Sequence, residues 1–280
     1  MKIALLGANG QLGQDLRRAL SAHDVRALTR QDFDVTDHSS ARAGLMDLRP
    51  EVVLNTTAYH RVDECESRAD LAYGVNALAV LNLLRVANDL QSVLVHISTD
   101  YVFDGRARTP YTERSEPFPL SVYANSKLAG ECLVRTMAKK YIIIRTCGLY
   151  GKAGSQGKGG NFVQTMLTKA KRGEPIQVVS DQEVTPTYTV DLADQIACLL
   201  PTENFGLFHM TNEGSCSWYE FARAIFELSG IDADLSPTSS EFYKTPAIRP
   251  PFSVLENARL KELGLNRMRH WRDALAAYLK

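Results

Sequence analysis

Cysteine is scarce and scattered in this chain: its five cysteines (Cys65, Cys132, Cys147, Cys198 and Cys216) include no Cys-x-x-Cys pair. An odd, unclustered set argues against a disulfide framework and against a structural zinc site, and free thiols suit a reducing cytosol. Long apolar runs are missing too, since no stretch approaches the ~20 residues that a membrane span needs. The N-terminal run Ile3–Leu6 stops at Gly7, too short for the core of a secretion signal. Nor is there an excess of charge: 32 basic residues balance 32 acidic ones. That balance gives no electrostatic reason to expect nucleic acid or an anionic membrane as partner. The expectation is a cytoplasmic protein, and at 280 residues it has ample chain for one large domain or two moderate ones.

What the chain does have is alternation. Lys2–Leu6 reads as a buried strand, and 11–21 as a helix with Leu12, Leu16, Ala19 and Leu20 on one side. Further strands are expected at 24–28, 52–55, 92–98 and 141–145, with helices at 39–48, 69–89 and 122–139. Such repetition implies right-handed βαβ units and a parallel sheet. Continuous apolar strands such as Val52-Val53-Leu54 fit burial on both faces. The fold class expected is α/β: a Rossmann-type doubly wound parallel sheet with a smaller, mixed α/β C-terminal substrate lobe. Residues 1–150 would form the dinucleotide-binding domain, rejoined by about 186–200 and 240–252, and 151–280 mainly the lobe.

Gly151–Gly160, with five glycines, reads either as a surface linker or as a flap over a site. A helix at 162–172, a strand at 176–179 and the segment 187–200 follow. Ser217-Trp218-Tyr219-Glu220 is a capping box that opens a helix ending at Gly230. Its Trp218, Phe221, Ile225 and Leu228 read as core. A last helix is expected around Trp271–Leu279.

The segment Gly7-Ala8-Asn9-Gly10-Gln11-Leu12-Gly13 lies between the first strand and the first helix. Glycines there permit a tight turn, let the backbone approach a pyrophosphate and allow close packing of helix on strand. The helix N-terminus offers free N–H groups to the phosphates. Gly7, Asn9, Gly10, Gln11, Leu12 and Gly13 are therefore candidates for nucleotide binding. The second strand runs into Thr29-Arg30 and on to Asp34-Val35. Thr29 and Arg30 would accept a 2′-phosphate, which favours NADPH slightly over NADH, and Asp34 and Val35 would flank the adenine.

Tyr123 and Lys127 stand four residues apart, about one helical turn, so both side chains leave one face. A phenol ordinarily titrates near ~10. A neighbouring ammonium is expected to draw that value down and so make Tyr123 a general acid or base. The fourth strand ends in Ser98-Thr99-Asp100-Tyr101, and the carboxyl ends of parallel strands are where open α/β folds bind ligands. A hydroxyl there would meet a substrate oxygen beside the Tyr–Lys pair.

With these residues in hand, the chain resembles the extended short-chain dehydrogenase/reductase superfamily, and within it the dTDP-4-dehydrorhamnose reductase family. The carriers span the chain: GANGQLG at 7–13, NTTAYHRVDECE at 55–66, VNA at 75–77, STDYVFDG at 98–105, PLSVYANSKLAGE at 119–131, GNF at 160–162, PTYTVDLA at 186–193 and the Arg249-Pro250 region. The resemblance implies reduction, by NADPH or NADH, of the C4 ketone of dTDP-4-dehydrorhamnose. Tyr123 would donate the proton, Lys127 would hold the nicotinamide ribose, and Thr99 would hydrogen-bond the reacting oxygen. Ala58, Tyr59, His60 and Asn76 join the implied cofactor contacts. Val62, Asp63, Asp100, Tyr101, Gly148, Asn161 and Arg249 fall among the implied substrate contacts. Some members carry a tryptophan after the Arg-Thr pair of the fifth strand, where this chain has Gly148. Some members bind a divalent metal through acidic residues at a dimer face, and Asp15 lies near one such position. The full acidic set is not evident, so no metal is expected. Nor is a nucleic acid or membrane partner, and the chain is expected to be a monomer or homodimer. Rival readings are another nucleotide-sugar ketoreductase, an epimerase or dehydratase, or a non-catalytic nucleotide-binding subunit.

Overall fold

The computed structural model of the chain describes residues 1–154 and 159–280. The glycine-rich segment expected to act as linker or flap therefore lies partly, at 155–158, outside the described residues.

The first half alternates strand and helix. β1 (Lys2–Leu6), α1 (Gln11–Ala19), β2 (Asp24–Leu28), α2 (His38–Leu48) and β3 (Val52–Asn55) come first. Two short helices, α3 (Val62–Cys65) and α4 (Ala69–Tyr73), lead into α5 (Ala79–Leu90), β4 (Val93–Thr99), α6 (Val122–Met137) and β5 (Tyr141–Thr146). The second half holds β6 (Leu149–Tyr150), α7 (Phe162–Lys171), β7 (Ile176–Val179), β8 (Glu183–Val184), β9 (Thr187–Tyr188) and α8 (Thr189–Leu199). It closes with β10 (Gly206–His209), β11 (Cys216–Ser217), α9 (Trp218–Ser229), β12 (Leu235–Thr238), α10 (Ala258–Glu262) and α11 (Trp271–Leu279).

The main sheet has six strands in the order β10-β5-β4-β3-β1-β2, and every pairing in it is parallel. Strand order reverses between β1 and β3, the switch point at which such sheets bind ligands. Alternate side chains of each strand enter opposite cores. Ile3, Leu5, Val52, Leu54, Ile142 and Ile144 pack with Leu12 and Leu16 of α1 and Leu192 and Ile196 of α8. Ala4, Leu6, Val53, Leu94 and Ile143 pack with Leu45 of α2, Leu83 and Leu84 of α5 and Val134 of α6. Both faces are thus covered, which is why these strands carry unbroken apolar runs. A separate core joins Tyr150, Val163, Ile176, Phe221, Ile225, Trp271 and Tyr278.

The helix expected over 69–89 is not uniform: a π-helical turn at Gly74–Leu78 separates α4 from α5. By length and composition Ala69–Leu90 is apolar enough to cross a membrane, contrary to the expectation that no stretch would be. Its C-terminal part packs Val80, Leu83, Leu84 and Val86 fully into the sheet core, as the core helix of a globular protein does.

Candidate active site

The carboxyl ends of the parallel strands open into a cleft of about 590 Å³. Its floor begins at the glycine loop. A β carbon on Gly13 would lie 2.3 Å from the Gly7 carbonyl oxygen and 2.9 Å from Ala8 Cα, so only glycine lets α1 start this close to the strand it follows. Gly10 caps α1 without a side-chain hydrogen bond, and the helix's first N–H groups remain for an anion. Gly10, Gln11, Leu12 and Gly13 line the cleft, an arrangement that fits a dinucleotide pyrophosphate.

Gln11 also ties this loop to the second half of the chain. Its amide donates to the Leu149 carbonyl at 3.0 Å and accepts from Gly151 N at 3.1 Å and Asn161 Nδ2 at 3.2 Å. Asn161, expected at the substrate, borders the cleft but spends its side chain on structure. It caps α7 through Gln164 N and donates to the Gly151 carbonyl at 2.8 Å.

α6 starts at Ser121, whose hydroxyl accepts from Ala124 N, and this cap sets Tyr123 and Lys127 against the end of β4. Lys127 is buried, and its ammonium donates to the Ile97 carbonyl at 2.6 Å. Burial pushes its pKa down to about 8, with Glu131 opposing the fall. Tyr123 sits in the cleft wall, edge-on to Tyr101 with ring centroids 6.1 Å apart. The expected lowering of the phenol's pKa is not what the structure has. Desolvation and the Asp100 carboxyl push it up, against a hydrogen bond with Thr99, and Lys127 is not among the acting charges. Helical spacing put the two side chains on one face, but the ammonium is turned to a main-chain oxygen. The phenol therefore holds its proton at neutral pH, the state a proton donor requires.

Thr99 Oγ1 accepts from Tyr101 N at 3.3 Å and donates to Asp100 Oδ1 at 3.0 Å. Asp100 is only 2% exposed and borders the cleft beside Thr99. Its other oxygen accepts from the Cys147 thiol at 3.0 Å, and burial raises its pKa. Beneath these residues Glu131 accepts from Ser98 Oγ at 2.5 Å and from Arg145 Nη2 at 2.6 Å. This fully buried ion pair fixes α6 to β4 and β5.

Of the remaining expected residues, Ala58, His60, Val62, Tyr101 and Gly148 border the cleft. Gly7, Asn9, Thr29, Arg30, Asp34, Val35, Tyr59, Asn76, Asp63 and Arg249 stand outside that lining. Arg30 is bound to Asp34 at 2.7 Å, and Thr29 N donates to Asp32 at 2.7 Å, so the groups expected at a 2′-phosphate are engaged with carboxylates. Asn76 accepts from Tyr59 N at 2.9 Å and donates to the Tyr59 carbonyl and to Ser126 Oγ. It fixes the 58–60 loop while the Tyr59 hydroxyl donates to Glu64. Arg249 grips Asp63 through two bonds of 3.0 and 2.9 Å. Among the described residues no cluster of three or more His, Cys, Asp or Glu is placed to hold a metal ion.

Trp218, read as core, lines the cleft instead, and Leu228 is exposed, while Phe221 and Ile225 are buried as expected. Trp218 opens α9, and its ring lies 4.8 Å from that of Phe162. A β carbon on Gly148, whose φ is +53°, would sit 3.3 Å from Trp218 Cη2. The indole thus covers the space beside Gly148. Its place at the first turn of an amphipathic helix was the available signal, since the end of a stripe runs out from the core.

The family model described as the RmlD substrate binding domain matches residues 1–280. A spore coat polysaccharide biosynthesis protein, SpsK, of Bacillus subtilis is 40% identical over 281 residues, covering 100% of this chain and 97% of its own. A solved structure of a dTDP-4-dehydrorhamnose reductase from Clostridium acetobutylicum shares 42% identity with a TM-score of 0.95, covering 100% of this chain and 98% of that one. A dTDP-4-dehydrorhamnose reductase from Bacillus anthracis, solved in complex with NADP, shares 37% identity with a TM-score of 0.95 and 99% coverage of both chains. With the family model matched from end to end on this fold and cleft, the chain belongs to the RmlD substrate binding domain family.

Proposed function

We propose that this protein reduces the C4 ketone of dTDP-4-dehydrorhamnose to the alcohol of dTDP-L-rhamnose, with NADPH as the preferred reductant. The observation that carries this reading is the convergence of Thr99, Tyr123 and Lys127 with the Gly10–Gly13 backbone in one cleft. When bound, NADPH supplies a hydride. Gly10, Gln11 and Leu12 would hold its pyrophosphate at the N-terminus of α1, and Lys127 would meet the ribose next to the nicotinamide. Tyr123, kept protonated by burial, gives its proton to the C4 oxygen as charge develops there. Thr99 orients the same oxygen, and donors already aimed at that position stabilise the developing charge. The NADP bound by the Bacillus anthracis relative supports the cofactor choice.

The sugar would lie toward Gly148, Trp218 and Phe162, which line the cleft, whereas Arg249 and Asp63 pair with each other outside that lining. In this reading the Rossmann part of residues 1–150 carries the cofactor, and the C-terminal lobe closes on the sugar nucleotide. The protein acts in the cytoplasm as a monomer or homodimer. A dehydratase of this superfamily would resemble Thr-Asp-Glu at the end of β4. Tyr101 follows Thr99-Asp100 here, so ketone reduction is favoured over water elimination.

The test is purified protein with NADPH and a panel of dTDP- and UDP-linked 4-keto sugars, followed by nicotinamide absorbance. Consumption of NADPH with dTDP-4-dehydrorhamnose is expected, and Tyr123→Phe should lower kcat by on the order of 10³-fold. Absence of turnover across the whole panel would refute the proposal.

A further inference from the structure

Asp100 has no cation among the groups that act on it. It heads the turn Asp100–Val102 and is enclosed by Thr99, Cys147 and Ser253, with Tyr101 and Tyr123 beyond and Arg249 reaching only as far as Tyr101. Oδ2 meets the Cys147 thiol at 3.0 Å, Oδ1 meets Thr99 Oγ1 at 3.0 Å, and the Ser253 hydroxyl also bonds the carboxyl.

A threonine hydroxyl has one proton to give and two lone pairs to receive with. One lone pair of Thr99 already receives Tyr101 N–H at 3.3 Å. If Asp100 is an anion, the single Thr99 proton must point at Oδ1. The threonine oxygen then also attracts the Tyr123 hydroxyl, and neither proton reaches a ketone in the cleft. If Asp100 is a neutral acid, its own proton fills the Oδ1–Oγ1 contact. Thr99 then turns its hydrogen toward the cleft, and Tyr123 keeps its proton for the substrate. A buried carboxyl without a cation favours the neutral form. Burial raises the Asp100 pKa against the hydrogen bonds of Cys147, Ser253 and Thr99, which lower it, and the Cys147 thiol is likewise pushed up and remains a donor.

We propose that Asp100 is a positioning residue that acts through Thr99: as a neutral acid it donates to Thr99 Oγ1 and aims the threonine hydroxyl at the reacting ketone. This rests on the ketone reduction proposed above. No proton is consumed at Asp100. The hydride and the Tyr123 proton account for the two hydrogens gained by the ketone, and Asp100 keeps its own.

Asparagine at 100 reproduces the neutral acid, with its amide N–H toward Thr99 and its carbonyl toward Cys147 and Ser253. Asp100→Asn is expected to lower kcat by about threefold, whereas Asp100→Leu lowers it on the order of 100-fold with KM little changed. The ratio of the Asn variant's rate to the parent's rises with pH, because only the parent can lose the proton at 100. The titration of Lys127 is common to both and cancels. In a Thr99→Val background the Asn and Leu substitutions become equivalent. An Asn variant as impaired as the Leu variant at every pH would overturn the proposal, because it would show that the anion is needed.

A second measurement needs neither turnover nor the Leu variant. The infrared difference spectrum of parent minus Asp100→Asn at neutral pH should contain the C=O stretch of a protonated carboxylic acid. A carboxylate band in its place refutes the assignment, even if the parent reduces a different substrate.

Discussion

Lys127 should make this protein less stable than it would be with an apolar residue there. Its ordinary pKa of 10.5 falls to about 8 in the fold, chiefly through burial. The folded state therefore binds this proton less tightly than the unfolded chain does. At pH 7 both states are protonated, and the shift of about 2.5 units costs the fold about 3 kcal/mol at ~1.4 kcal/mol per unit. Lys127→Met shortens the side chain by one atom and removes the charge. It also gives up the hydrogen bond to the Ile97 carbonyl, a loss of about 1 kcal/mol. The net expectation at pH 7 is a variant about 2 kcal/mol more stable than the parent, and without turnover. As pH rises from about 8 to about 10.5 the parent's penalty disappears, because the unfolded state then binds the extra proton. Above that window the variant should be the less stable protein, by roughly the lost hydrogen bond. Parallel urea titrations of both proteins across this range supply the measurement. Tyrosine and cysteine titrations occur in both and cancel in the difference. A variant less stable at pH 7, or a difference that does not change with pH, would refute the reasoning.

Glu131→Ala should destabilise by about 3–5 kcal/mol, because it strands the Arg145 guanidinium, whose Nη1 already lacks a hydrogen-bond partner. Urea denaturation reads this, and a Glu131→Leu, Arg145→Met pair should recover most of the loss. Trp218→Ala should raise KM for the sugar nucleotide by about tenfold, roughly the 1.4 kcal/mol expected of one aromatic contact. Its kcat should fall much less, and an unchanged KM would remove the indole from the sugar site. Asn161→Ala removes the α7 cap and the tie to Gln11. A loss of about 1 kcal/mol is expected, together with a weaker NADPH Kd by titration of nicotinamide fluorescence.

The parts of the fold that were legible are those where local pattern and burial agree. β3 and β7 begin and end where their apolar runs meet turn residues, and the Ser217–Glu220 box opens α9 as its spacing requires. β10 escaped because Gly206-Leu207-Phe208-His209 has only two apolar side chains between a glycine and a histidine. Such a run becomes a strand only when β5 offers its open edge. The π-helical turn was equally hidden. Gly74–Leu78 has ordinary helical composition, and the extra residue is stabilised by Asn76 bridging Tyr59 and Ser126, contacts 17 and 50 residues away.

The same limit applies to chemistry. The positions of Tyr123, Lys127 and Thr99 followed from spacing and strand ends, but their proton affinities did not. Those depend on burial and on which third group each side chain meets: a carbonyl for Lys127, a carboxyl beside Thr99 for Tyr123. Spacing along a helix fixes direction, and only packing fixes the dielectric and the partner. For this site the difference matters mechanistically. A lowered Tyr123 pKa would leave part of the phenol ionised at neutral pH, the form that takes a proton rather than gives one. The raised value keeps the phenol protonated at neutral pH, the form a proton donor must have, and binding of substrate and cofactor then sets how readily it gives that proton up.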